Sequence, residues 1–301
     1  MASNTLKIAV CLYGQPRTAI YCIPWIKKTF ESLKGITTNS FFPVIDQQLI
    51  YKDRIEYNKV QVDYFLHLKN YNIYTNTSGD DSNSYHPVDD SEIKEIINEI
   101  NPVSYKISTY DEEKELLVAS PRSSFSAMFS SINTALNLKK KHQLRTGQQY
   151  DLVALHRYDS LLGPDPTSLR TVIESNGLQP LTVISPGWIG RWKWEDARLG
   201  SNDVFLIGDD LAIDIAMADV TRMYATDNKI FGQHDFFNQG PNVALQESFE
   251  KTSTRHVCST EFYPAVVRHT ADLSLPVFDN WAYHNSYWLT NHKSNNNGRK
   301  K

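Results

Sequence analysis

The chain has 301 residues, of which 41% are hydrophobic and 22% charged, with a formal net charge of −3. That length accommodates one large α/β domain or two small ones, and the balance is that of a soluble globular chain rather than a disordered one. The near-neutral charge argues against a broad nucleic-acid-binding surface, no apolar run reaches the roughly 18–20 residues of a membrane span, and MASNTLK is too short for a signal peptide.

Leu6–Tyr13 (LKIAVCLY) is a continuous apolar run with β-branched members, which predicts a central strand. Gly14-Gln15-Pro16-Arg17-Thr18 closes it, and an amphipathic segment over 19–33 predicts a helix. In this strand, turn and helix, Gly14 lets the backbone approach a ligand and the helix N-terminus offers N–H groups to an anion. Arg17 is placed to add a bidentate phosphate contact, although an ordinary βα turn reads the same way. Cys11, Cys22 and Cys258 have no metal-ligand spacing and are expected as reduced thiols in a cytoplasmic protein.

No strong period appears over 35–59, which reads as an irregular packed excursion. Val62–Leu68 predicts a strand with His67 and Lys69 at its carboxyl end, where His67 fits a hydrogen-bonded structural role better than a catalytic one. Residues 70–90 are polar and predict a surface loop; the pairs Asp80-Asp81 and Asp89-Asp90 read as solvated or helix-capping carboxylates rather than a metal site. A short amphipathic helix over 91–101, capped by Asp90 or Ser91, precedes a strand over 103–110. Ser123–Lys141 predicts a long helix from Phe125, Met128, Phe129, Ile132, Ala135, Leu136 and Leu138, ending in a solvated Lys139-Lys140-Lys141. Arg122 lies near its positive end, at an electrostatic cost unless an anion is close, so it is a phosphate-binding candidate.

The stretch Tyr150–Asp165 (YDLVALHRYDSLLGPD) organises the chain. Leu152–Leu155 predicts a strand buried on both faces, and His156, Arg157, Tyr158 and Asp159 follow at its carboxyl end, where open α/β sheets bind ligands. Two residues apart on an extended chain, Arg157 and Asp159 share a face and can point at one ligand; a strand-end ion pair is the alternative. A short helix capped by Asp165 or Thr167 runs to Ile173, and Leu181–Ser185 predicts a strand. The loop over 186–202 carries Trp188, Trp192 and Trp194 among charges, a composition that suits stacking on a sugar ring and equally suits an anchored covering loop. Asp203–Ile207 predicts a strand ended by Gly208-Asp209-Asp210 and a helix over 211–224. Capping is the default role for Asp209 and Asp210; at a ligand edge one of them is instead a base for an acceptor hydroxyl. His234-Asp235 reads as a local loop pair, 242–254 as a helix, 263–268 as a last strand, and 291–301 as a polar tail.

This order of elements predicts an α/β fold with a mainly parallel sheet flanked by helices, as one domain over 1–290. Its nucleotide-binding half would cover about 1–165 and its acceptor-side half about 166–290. In VCLYGQPR (10–17), VDYFLHL (62–68), YDLVALHRYDSLL (150–162) and DVFLIGDD (203–210), the chain resembles GT-A-type glycosyltransferases of large-virus, phage and bacterial polysaccharide gene sets.

The resemblance implies a nucleotide-diphospho-sugar transferase-like fold, a nucleotide-sugar donor and a glycan or glycoconjugate acceptor. It implies donor contacts from Gly14, Gln15 and Arg17 and from the Arg157–Asp159 position; His67 and Arg122 are the further donor-site candidates, and Trp188, Trp192 and Trp194 the acceptor-side ones. Such enzymes use an Asp-x-Asp motif to hold Mn²⁺ or Mg²⁺ against the diphosphate. Here that position reads His156-Arg157-Tyr158-Asp159, with one carboxylate. Either Asp159 is the metal ligand, or Arg157 neutralises the diphosphate. Asp209 or Asp210 would be the catalytic base. The competing expectations are another nucleotide-using transferase and a carbohydrate- or partner-binding module without catalysis.

Overall fold

The computed structural model describes residues 4–43, 49–75, 83–118, 123–163, 165–177, 179–186, 205–226, 241–259 and 263–266. Arg122, Trp188, Trp192, Trp194, the Asp80-Asp81 and His234-Asp235 pairs and the tail over 291–301 lie outside them.

The first strand, β1 (Thr5–Gly14), is buried on both faces, as its unbroken apolar run requires. Leu6, Ile8, Val10 and Leu12 enter one core layer, and Ala9, Cys11 and Tyr13 the other. Helix α1 (Ala19–Glu31) packs Cys22, Ile23, Ile26 and Phe30 on the first layer. The Arg170 guanidinium donates to the carbonyls of Ser32, Lys34 and Gly35 just beyond its end. Where no period is legible, β2 (Thr37–Pro43) and β3 (Leu49–Glu56) form an antiparallel ribbon. A register shift between Ser40 and Phe41 breaks the alternation that would have marked it.

β4 (Lys59–Lys69) starts earlier than its apolar run, and the polar stretch after it holds a second ribbon, β5 (Tyr71–Thr75) with β6 (Asn83–Pro87). α2 (Asp90–Ile100) buries Ile93, Ile96 and Ile100. Its cap is Asp89 rather than Asp90 or Ser91: the Asp89 carboxylate accepts from the Ser91 N–H at 2.8 Å. Next come β7 (Ser104–Ser108), α3 (Tyr110–Val118) and the long α4 (Ser123–Thr146). β8 (Leu152–Arg157) and the short β9 (Ser160–Gly163) flank a turn at Tyr158-Asp159. The remaining elements are α5 (Ser168–Asn176), β10 (Thr182–Pro186), β11 (Phe205–Gly208), α6 (Asp210–Thr226), α7 (Pro241–Lys251), β12 (Arg255–Ser259) and β13 (Tyr263–Val266).

Seven strands form one sheet in the order β12-β10-β11-β8-β1-β4-β7. All run parallel except β11, which is antiparallel to both β8 and β10. The α/β class with a mainly parallel sheet is therefore the observed one, and strands from both halves of the chain share the sheet. α1, α2 and α5 cover one face; α4, α6 and α7 cover the other. Gly208 permits the close β10–β11 approach, since a Cβ there would sit on the Thr182 carbonyl oxygen. From β1 the chain adds β4 and then β7 on one side, and returns through α4 to lay β8 on the other. The strand order thus reverses between β1 and β8, where such sheets open a crevice at their carboxyl ends.

Two further expectations fail. The Lys139–Lys141 run is not a wholly solvated helix end: Lys139 is fully buried, salt-bridged to Asp210 and to Asp214 (3.1 Å). Asp209 and Asp210 do not share the edge of Asp159. Because β11 runs antiparallel, Gly208 pairs with Val153 near the start of β8, and the two aspartates emerge at the amino edge of the sheet.

Candidate anion site at the carboxyl edge

At the reversal of strand order, Arg17 follows β1 and Arg157 ends β8, and both converge on Asp159. Arg157 Nε and Nη2 donate to the two Asp159 oxygens at 2.9 and 2.8 Å, a bidentate fork. Arg17 Nη1 donates to Oδ2 at 3.1 Å. The Asp159 side chain is 2% exposed, against 12% for Arg17 and 21% for Arg157. A buried carboxylate is costly unless paired; here it is paired twice. The expected face-sharing of Arg157 and Asp159 is realised as a contact across the turn that follows β8.

The loop carrying Arg17 is fixed from behind. Gly14 has φ +110°, a conformation that glycine adopts without penalty, and nothing lies near its missing Cβ, so backbone direction rather than space calls for glycine. Arg17 itself has φ +28°, uncommon for a residue with a side chain. Its N–H donates to Asn72 Oδ1 at 3.0 Å, and its Nε donates to Gln15 Oε1 at 3.0 Å. Strain held in place this way clusters at functional sites. Asn72 carried no signal in the sequence beyond a polar stretch.

His67 is not among the residues that meet Asp159. It is 1% exposed, with Nδ1 2.6 Å from Ser131 Oγ and Nε2 2.8 Å from Ser108 Oγ. Ser131 Oγ also accepts from the Gly14 N–H at 3.3 Å, so the assignment that satisfies all partners has Ser131 donating to Nδ1 and Nε2–H donating to Ser108. Burial lowers the His67 pKa to about 4, so its 3.7 Å approach to Glu113 is not an ion pair at neutral pH. Glu113 pairs instead with Lys69 at 2.7 Å and accepts from the Tyr71 hydroxyl. Burial alone would raise the Glu113 carboxyl; Lys69 and Tyr71 outweigh it and hold it below its ordinary value. His67 therefore supports the Gly14 loop from the core. Ser131, Glu113 and Tyr71 were not singled out in the sequence.

His156 and Tyr158 flank Arg157 inside the fold. His156 Nδ1 donates to the Arg157 carbonyl at 2.7 Å, and burial lowers its pKa to about 4. Among the described residues, its Nε2 and the Tyr158 hydroxyl are buried without hydrogen-bond partners. Cys11 and Cys22 are buried, and burial pushes both thiols up to about 12, which makes neither a nucleophile.

The structure thus brings together Gln15, Arg17, Arg157 and Asp159, with Gly14 at the hinge of their loop. It separates Asp209 and Asp210 from them. Asp209 Oδ1 accepts from the Ala212 N–H at 3.1 Å as a helix cap, and Asp210 takes Lys139 and Gln143. A shallow depression lined by Asp151, Thr182, Ile184 and Asp209 lies on that opposite edge. The three tryptophans and Arg122 fall outside the described residues.

The Mn²⁺ or Mg²⁺ expectation meets a donor set that does not fit. Both Asp159 oxygens accept from guanidinium groups, and among the described residues no three His, Cys, Asp or Glu side chains are grouped to hold a metal. No described helix is long and apolar enough to cross a membrane.

No protein-family model matches this sequence, and no curated protein matches it. Among solved structures, the chain is similar to mouse xyloside xylosyltransferase 1 in its apo form, with a TM-score of 0.31 and 8% identity over 85% of each chain. A likeness of that size carries no functional argument.

Proposed function

We propose that the protein is a glycosyltransferase that moves a sugar from a nucleotide-sugar donor to a hydroxyl of a glycan or glycoconjugate. The observation that carries this reading is the pair of arginines, one from each strand end at the reversal of strand order, held on a single buried carboxylate. Guanidinium forks recognise phosphate oxygens, and a departing nucleoside diphosphate needs cationic partners as its bond to the sugar breaks. The Gly14–Arg17 turn brings backbone close to that ligand. The segment bearing Trp188, Trp192 and Trp194 is the proposed acceptor side, on its composition.

The test is a thermal-shift panel of nucleoside diphosphates and nucleotide-sugars, followed by mass detection of nucleoside diphosphate released with glycan acceptors. Native-state ligands raise the melting temperature by mass action. A shift confined to one nucleotide family, with turnover, supports the reading; a flat response across the panel from folded protein sinks it. One observation favours a second reading, a nucleotide- or sugar-binding module without transfer: both aspartates expected to act as base lie on the other edge. Binding without turnover is its signature.

A further inference from the structure

We propose that the carboxyl-edge site takes a diphosphate without a divalent cation, its charge met by Arg17 and Arg157, and that Asp159 is a positioning residue aligning the two guanidiniums. This deepens the transferase reading and rests on it for the nucleotide, though not for the anion itself.

The geometry of Asp159 carries the argument. A hard cation binds by taking carboxylate oxygens into its own shell. Both oxygens of Asp159 already accept charged hydrogen bonds, at 2.9 Å on Oδ1 and at 2.8 and 3.1 Å on Oδ2. A dication there would displace guanidinium groups and then stand beside two like charges at a carboxylate that is only 2% exposed. The same contacts suit the other role. The bidentate fork fixes the plane of the Arg157 guanidinium, and the single bond from Arg17 turns the second group towards the first. Neighbouring strands stand about 4.8 Å apart, so groups at the ends of β1 and β8 reach one diphosphate rather than two separate ligands. Arg17 is further restrained by Asn72 on its N–H and Gln15 on its Nε, with its backbone at φ +28°. Such investment in one arginine's direction is what a preorganised anion site requires.

The experiment is calorimetric titration of the full chain with inorganic pyrophosphate, then with a nucleoside diphosphate panel, in EDTA and again with Mn²⁺. Pyrophosphate is expected to bind alike in both conditions. Arg17→Gln and Arg157→Gln are each expected to weaken it about tenfold or more, with Arg157→Lys, which keeps the charge and loses the fork, in between. Asp159→Asn puts an N–H donor where one accepting oxygen stood, so it is expected to misalign the guanidiniums and weaken pyrophosphate about tenfold, equally in EDTA and with Mn²⁺; a folded variant that binds as the parent does overturns the positioning role. Binding that appears only with Mn²⁺ overturns the proposal, as does no pyrophosphate binding in either condition. The comparison of chelator with metal uses the unaltered chain, so it stands even where a variant fails to fold. Pyrophosphate binding with no nucleotide response would leave this proposal intact and remove the transferase reading, so the two failures are distinct.

Discussion

The two edges of the sheet carry mirror-image charge clusters. At the amino edge a buried cation, Lys139, is surrounded by anions: Asp210 and Asp214, with Gln143 on the far oxygen of Asp210 and Lys140 on that of Asp214. At the carboxyl edge a buried anion, Asp159, is surrounded by cations. The first arrangement closes α4 onto α6, joining two helices of one layer. The second joins the ends of two parallel strands at the reversal of strand order, with its arginines partly exposed. Similar chemistry serves packing in one place and, on our reading, recognition in the other; position in the topology tells them apart.

The amino-edge cluster can be broken most severely. Burial alone would lower the Lys139 pKa, but Asp214 and Asp210 outweigh it and raise it, so the ammonium belongs to the folded state. Lys139→Met leaves Asp210 without its ammonium and is expected to cost about 3 kcal/mol, read as a lower urea midpoint. Adding Asp210→Asn should restore part of that loss, and pyrophosphate affinity should stay at the parental value. A Lys139→Met protein of full stability would show that the cluster does not close the layer.

Acid should sharpen the contrast from the other side. His67 and His156 at the carboxyl edge, with His256 on β12, have pKa values lowered to about 4 by burial. The unfolded chain therefore takes up protons first as pH falls below about 6.5. The stability these histidines contribute is full above that value and is lost as pH drops towards 4, at up to about 1.4 kcal/mol per pH unit for each. Urea midpoints between pH 7 and 4.5 should fall, and His156→Gln should flatten the slope. A slope unchanged in that variant would mean that His156 does not titrate with unfolding.

The difference between the edges was half legible in the sequence. Continuous apolar runs announced β1, β4 and β8, because strands covered on both faces leave no room for alternation. The turn after β1 and the Arg157–Asp159 pair followed from those strands. The direction of β11 was not legible: FLIG has no feature that reports its orientation, and a parallel strand there would have carried Asp209 and Asp210 to the arginines. Lys139 misled for a related reason, since a lysine in a basic run reads as solvated until the carboxylates of α6 are placed against it. The β2–β3 and β5–β6 ribbons hid behind a bulge and behind polar composition. Nothing local in the sequence marked Asn72, which holds Arg17 from 55 residues away.

The smallest effect tests the separation of the edges most directly. Asp209 follows β11 and caps α6 through the Ala212 N–H, while its own N–H donates to the Thr182 carbonyl at 3.1 Å. Asp209→Ala removes only the side-chain bond, so it should cost about 1 kcal/mol, a small fall in melting temperature. Because the sheet stands between Asp209 and the arginines, pyrophosphate affinity and any nucleotide-sugar turnover should be unchanged. A variant that melts like the parent yet loses turnover would make Asp209 chemical after all. The amino edge, with the depression that Asp209 lines, would then be the place where the reaction happens, and the arginine cluster would be the structural one.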